Sequence, residues 1–237
     1  MTKRRRRSQL CIYCGIRPGT TLDHVPPKGI FPRPRPNDLV TVPCCQSCRR
    51  AQSADDEYFR NMVTLRLDVA ALPAVRDVLD AVHRALSRPE QRRLTTGLVR
   101  SLRDVELRTV AGLYLGRAKT YTADIKRLDN VIRRTMLGLY FHETGQRLPT
   151  ECVATVFCVE GFAEANFDVQ SAVVRLVDQA VMGKRRTFGD DVFSYWAQGF
   201  EEPHATLWLF ALHRRVLFIG FTETPQKRNE GADGSNS

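Results

Sequence analysis

Between residues 123 and 144, Ile125, Leu128, Ile132, Met136 and Leu139 recur at three- and four-residue steps. That is the stripe of an amphipathic helix with one buried face. Upstream, SADDEYFRNMVTLRLDVAAL (53–72) opens with Ser53 and Asp56 in a capping pattern and continues with helical periodicity. AVRDVLDAVHRALSR (74–88) and PEQRRLTTGLVRSL (89–102) predict two further helices. DVELRTVAGLYLGRAKTYTAD (104–124) has β-favouring residues around Gly112 and Gly116 and predicts two short strands. After Gly145 the period shortens. VATVFCV (153–159) reads as a strand and QSAVVRLVDQAV (170–181) as a helix. VFSYWAQGF, TLWLFAL and VLFIGFT (192–200, 206–212, 216–222) then predict an antiparallel meander. The polar end, residues 223–237, predicts a disordered tail.

Residues 1–50 behave differently. They hold seven of the twelve prolines, spaced so that no helix can form across them. With little apolar material, this segment needs a staple. Five of the seven cysteines, Cys11, Cys14, Cys44, Cys45 and Cys48, fall within 38 residues. CIYC at 11–14 and CQSC at 45–48 are two CxxC knuckles, each able to grip one tetrahedral ion through a pair of thiolates. Gly15 follows the first pair, where a tight turn is useful. Cys44 in place of Cys45 would lengthen the spacing to Cys48, so Cys45 is taken as ligand and Cys44 as bystander. A competing set uses His24 as the fourth ligand. The expected ion is Zn²⁺. Cys152 and Cys158 lie in apolar context and read as buried strand residues.

Charge sharpens the division. Residues 1–50 carry 11 basic side chains against two acids, Asp23 and Asp38, a local +9 out of the chain's +10. The positive field thus belongs to the cysteine-bearing segment and favours a polyanion. The run Arg4 to Arg7 also fits a solvated tail, placed at residues 1–8. MTKRRRRSQL has no apolar stretch behind it, unlike a secretory signal, and no segment has membrane-spanning length. A cytoplasmic location without membrane contact is expected.

The gap between the knuckles contains Asp23-His24, followed by Val25-Pro26-Pro27-Lys28. An imidazole can take a proton from water near neutral pH, and a neighbouring carboxylate can hold a hard divalent cation. Lys28, with Arg33 or Arg35, could hold flanking phosphates. CIYC, DHVPPK, NDLVTVPCCQSC and SADDEYFR together resemble the zinc-knuckle branch of the bacterial HNH endonucleases, over about residues 9–62. The resemblance implies a ββα-metal module: a hairpin and a helix clasping a catalytic cation (Mg²⁺ or another divalent ion) beside a separate structural zinc. It implies His24 as general base, Asp23 as catalytic-metal ligand, and Cys11, Cys14, Cys45 and Cys48 as the zinc site. The family's middle Asn falls on Asp38, with Asn37 one place earlier; both are candidates for positioning.

Directly after the second knuckle the family usually has Asn or His, and here stands Arg49. A guanidinium cannot ligate a cation. Asp55, Asp56 or Glu57 supplies the missing ligand, Arg49 takes over part of the electrostatic work, or the site is inactive. Asp56, seven residues beyond Arg49, shares its face if one helix runs through both. A first-turn dipole role for the three carboxylates competes with that ligand reading.

The expectation is an α+β chain: a zinc-stapled HNH-like module at 9–62 and a helical and antiparallel-sheet body at 63–222. Its expected function is metal-dependent phosphodiester hydrolysis, in DNA rather than RNA. The alternative is a zinc-stapled nucleic-acid binder without catalysis. The body offers room for a protein partner or a homodimer. Of its histidines, His83 is read as exposed on a charged helix, and His142, His204 and His213 as structural.

Overall fold

In a computed structural model the chain is described over residues 9–109, 111–159, 175 and 184–225. The fold is α+β. The expected basic tail at 1–8, nearly all of the helix expected at 170–181, and residues 226–237 lie outside the described residues. Among the described residues no helix is long and apolar enough to cross a membrane.

The order begins with β1 (Thr21–His24) and β2 (Thr41–Cys44), an antiparallel pair in which His24 lies opposite Thr41. Helix α1 (Gln46–Leu65) follows at once, then a short α2 (Leu67–Ala70), α3 (Arg76–Leu86) and α4 (Arg92–Ser101). The two expected short strands are β3 (Arg103–Arg108) and β4 (Tyr114–Thr120), paired as a hairpin that turns at Gly112 with φ +84°. The long helix is α5 (Ile125–Thr144), capped by the Asp124 side chain and ended by left-handed Gly145. β5 (Val153–Cys158), β6 (Lys184–Phe188), β7 (Phe193–Gly199), β8 (Thr206–Leu212) and β9 (Val216–Glu223) make one antiparallel sheet, ordered β5-β9-β8-β7-β6.

The meander is present as β7-β8-β9, with an edge strand added on each side. β6 was not expected. Its sequence KRRTF has no alternating apolar face, and a polar strand at a sheet edge needs none. The helix assigned to 53–72 starts earlier, at Gln46, and breaks at Arg66. Its N-cap is Cys45, outside the usual Ser/Thr/Asp/Asn set, while Ser53 sits inside the helix with its hydroxyl donating to the Arg50 carbonyl. Cys158 is buried in β5 as expected, but Cys152 is only half-buried and precedes the strand.

One hydrophobic core runs through the molecule. It joins Ile12, Val25 and Val42 of the hairpin region to Phe59 and Met62 of α1, Ile132 and Met136 of α5, and Phe193, Trp208 and Phe218 of the sheet. The other face of the sheet carries a smaller cluster, Leu207, Leu209 and Ile219, packed by Trp196. The expected boundary at 62/63 falls inside α1. The hairpin region meets α5 closely at Gly138, where a Cβ would lie 2.5 Å from Val25 Cγ1. Gly97 in α4 has open space. Gly138→Ala should therefore destabilise the protein by about 1–2 kcal/mol, because overpacking outweighs the gain in helix propensity. Gly97→Ala should instead stabilise it by up to about 1 kcal/mol. Thermal melts of the two variants check the contrast.

His83 and His142 are exposed. His213 is buried, its backbone left-handed at φ +51°, and burial holds its imidazole down to about 4. The unfolded chain takes up this proton near pH ~6.5, before the native state does. Its stabilising contribution is thus whole above that pH and is lost as pH falls through about 4. In His213→Asn, which keeps a residue tolerant of left-handed backbone, Tm should fall less than in the parent between about pH 7 and about pH 4.

Candidate functional site

Cys11, Cys14, Cys45 and Cys48 converge, their sulfurs all within 4.8 Å of one another. A tetrahedral site with Zn–S bonds of about 2.3 Å has sulfur–sulfur edges of roughly 3.8 Å. The Cys14–Cys45 pair stands at 4.0 Å. This set can hold a tetrahedral ion such as zinc. It is the one such group of three or more ligating side chains among the described residues, and it does not include His24. Backbone N–H groups point at the sulfurs as a knuckle requires. Those of Arg17 and Ile16 hold the Cys14 thiol down to about 6, and that of Cys48, 3.4 Å from the Cys45 sulfur, lowers Cys45. Cys44 stands outside the set: its thiol donates to the Cys45 carbonyl, and burial pushes it up to about 12. It is a protonated bystander. The first knuckle closes through Gly15, left-handed at φ +63°, whose N–H donates to the Cys11 carbonyl. Arg147 lies across that glycine and donates to the Ile12 carbonyl at 3.2 Å.

Asp23 and His24 end β1 at the foot of this cluster. Asp23 Oδ2 accepts a 2.8 Å hydrogen bond from the Tyr13 hydroxyl. Burial, with Asp23 next in weight, raises the Tyr13 pKa, so the phenol stays a donor. His24 is half-buried and makes no side-chain hydrogen bond among the described residues. Burial lowers its pKa first, then Lys28, with Arg49 and Arg35 adding and Asp23 opposing. The imidazole is therefore neutral near pH 7, in the field of three cations. Lys28 and Arg49 are exposed, and Arg35 is oriented by donating to the Lys28 carbonyl at 3.1 Å.

Asn37 and Asp38 sit in an exposed turn and make no hydrogen bond to His24 among the described residues. Asp38 instead lines an open hollow of about 540 Å³ with Thr41, His142 and Arg186.

One helix does carry both Arg49 and Asp56. The acidic trio lies in mid-helix rather than in a first turn, and each member has a partner. Asp55 binds Arg127 at 2.7 Å, Asp56 binds Arg134 at 2.7 Å, and Glu57 reaches Arg60 and Gln91. Arg134 is only 11 % exposed. Burial raises the Asp56 pKa, Arg134 counters it, and Asp23 adds to the rise, which places the two carboxylates in one field. Sequence reasoning missed Tyr13, Arg134 and Arg147. For two of them position along the chain was the available signal: Tyr13 lies within the first knuckle, and Arg134 is flanked by the apolar stripe positions Ile132 and Met136 of α5.

No protein-family model, curated protein or solved structure matches the chain.

In knuckle peptides structural zinc binds with about 10 kcal/mol or more of apparent free energy, most of it folding energy. Cys11→Ser or Cys45→Ser should therefore lose the metal and melt the hairpin, whereas Cys44→Ala should keep one zinc per chain. Elemental analysis and near-UV circular dichroism of the three variants check this.

Proposed function

We propose that the protein is an HNH-type endonuclease that hydrolyses phosphodiester bonds, with DNA as substrate. The observation that carries the reading is the half-buried imidazole of His24, next to Asp23 in β1, free of side-chain hydrogen bonds among the described residues and within the electrostatic reach of Lys28, Arg49 and Arg35. In this reading β1, β2 and α1 are the ββα module and the four-cysteine cluster is its structural zinc site. His24 takes a proton from a water, whose oxygen attacks phosphorus as the bond to the leaving sugar oxygen breaks. Lys28, Arg35 and Arg49 hold the non-bridging and flanking phosphate oxygens.

A hard cation such as Mg²⁺ keeps several waters and takes one or two carboxylates together with substrate phosphate. Asp23 meets the lower limit: Tyr13 occupies Oδ2, and Oδ1 accepts no hydrogen bond among the described residues. Asp56 does not, being held by Arg134. Asp23 would thus hold the ion, which when bound neutralises charge on the phosphate and leaving oxygen.

A second reading, a nucleic-acid binder without catalysis, is favoured by Arg49 standing where the family has a ligand and by the engaged state of Asp56. Plasmid nicking in Mg²⁺, Mn²⁺ or Ni²⁺ separates the two. Under the nuclease reading His24→Ala loses about 10²–10⁴-fold in rate while keeping its zinc. Intact plasmid in every metal, together with salt-sensitive binding, would establish the binder.

A further inference from the structure

A cleft of about 460 Å³ opens beside the His24 cradle, between residues 29–35 and helix α3. Four guanidiniums line it, Arg33, Arg35, Arg60 and Arg84, against the two carboxylates Asp77 and Asp80. Glu57 pairs with Arg60. Arg33 and Arg84 are exposed and form no ion pair among the described residues, not even with the two aspartates of the same wall. Arg35 belongs to both places, since it lines the cleft and donates to the carbonyl of Lys28 beside His24. Helix α4, in contact with α3, carries further positive charge: Arg92, Arg93 and Arg100 flank a second open hollow with Glu90 as its one carboxylate.

We propose that this cleft and the α4 surface form an extended track for the nucleic-acid backbone, leading one strand away from the His24 site. The track rests on the proposed nucleic-acid substrate and adds its direction and length. Helix α3, with 11 residues, spans about 16 Å, the length of about five phosphates along one strand at about 3.4 Å each. Guanidiniums suit this task because their planar forks meet phosphate oxygens in pairs. An acidic protein segment would also answer to positive charge. The continuity with the cradle through Arg35 favours the polymer whose phosphates already occupy the reacting site.

The test measures binding of the full chain carrying His24→Ala, so that the probe stays intact, to labelled DNA duplexes of about 30 and about 8 base pairs across a salt series. Adding Arg84→Ala with Arg93→Ala should reduce the salt slope on the long duplex by about 1.8, the equivalent of two phosphate contacts, and by less on the short one. Arg117→Ala, an exposed cation on β4, is the control for generic charge loss. Zinc content and melting temperature confirm that the variants are folded. An unchanged slope on the long duplex, or an equal drop in the Arg117 variant, overturns the track. Plasmid cleavage by the wild type with an unchanged slope in the double variant removes the track alone. A reduced slope without cleavage in any metal keeps the track and removes the nuclease.

Discussion

Cys45 links the metal cluster to the rest of the molecule. Its sulfur belongs to the four-thiolate group and also accepts the N–H of Cys48, so the same atom closes the ion site and caps helix α1. Anchoring the helix there fixes its rotational phase, and everything that α1 carries follows from that phase. Successive residues on a helix point about 100° apart, so Asp55, Asp56 and Glu57 face three directions. They meet Arg127 near the start of α5, Arg134 in its middle, and Gln91 ahead of α4. A cap one residue earlier or later would turn all three away from these partners. The staple at one end of α1 therefore orders contacts as far away as α5.

The second consequence is electrostatic. Partial burial of His24 leaves its imidazole little reason to take a proton, and Lys28, Arg49 and Arg35 act in the same sense. Asp23 pulls the other way but is itself engaged by Tyr13. The outcome is an imidazole in its unprotonated form within the field of nearby cations. Arg134 serves the neighbouring carboxylate. An ion pair with one side chain 11 % exposed gains little as a pair, but stripping away one partner would leave a charge poorly solvated. Asp56 is thus better explained as the counterion that lets Arg134 sit beneath the site than as a ligand awaiting a cation.

The strongest sequence signals were of two kinds, and each was read correctly for the same reason: a local pattern sufficed. The α5 stripe is buried from Leu128 to Leu139, although Ile125, expected to open it, is 46 % exposed in the first turn, and the meander from Phe193 to Thr222 alternates between two packed faces. The CxxC pairs converge with Cys45, not Cys44, in the set. What was missed is non-local. The start of α1 lay hidden because its cap is a thiolate whose value as an acceptor depends on a knuckle 31 residues away. β6 lay hidden because an edge strand can be polar on its open side. Arg134 could not be seen as part of the site, since its partner stands 78 residues earlier in the chain.

The dependence also runs back from body to hairpin. Val25, the residue after His24, packs on Gly138 at a distance that admits no side chain, and Arg147 lies over Gly15 of the first knuckle. Phe59 of α1 meets Phe218 of β9 with ring centroids 6.2 Å apart. The hairpin bearing Asp23 and His24 thus meets α5 through Val25 and β2, while β2 leads directly into Cys45 of the cysteine cluster. A two-stranded sheet is marginal alone, and β1 and β2 have four residues each. Metal binding would fix the ends of this hairpin, but only the contact with α5 sets its distance from Arg134. A site held to a fraction of an ångström needs its supporting contacts as much as its reacting groups. By that reasoning the residues beyond 62 help to hold the hairpin in place: Gly138 against Val25, Arg147 over the first knuckle, and Arg134 paired with Asp56 of α1.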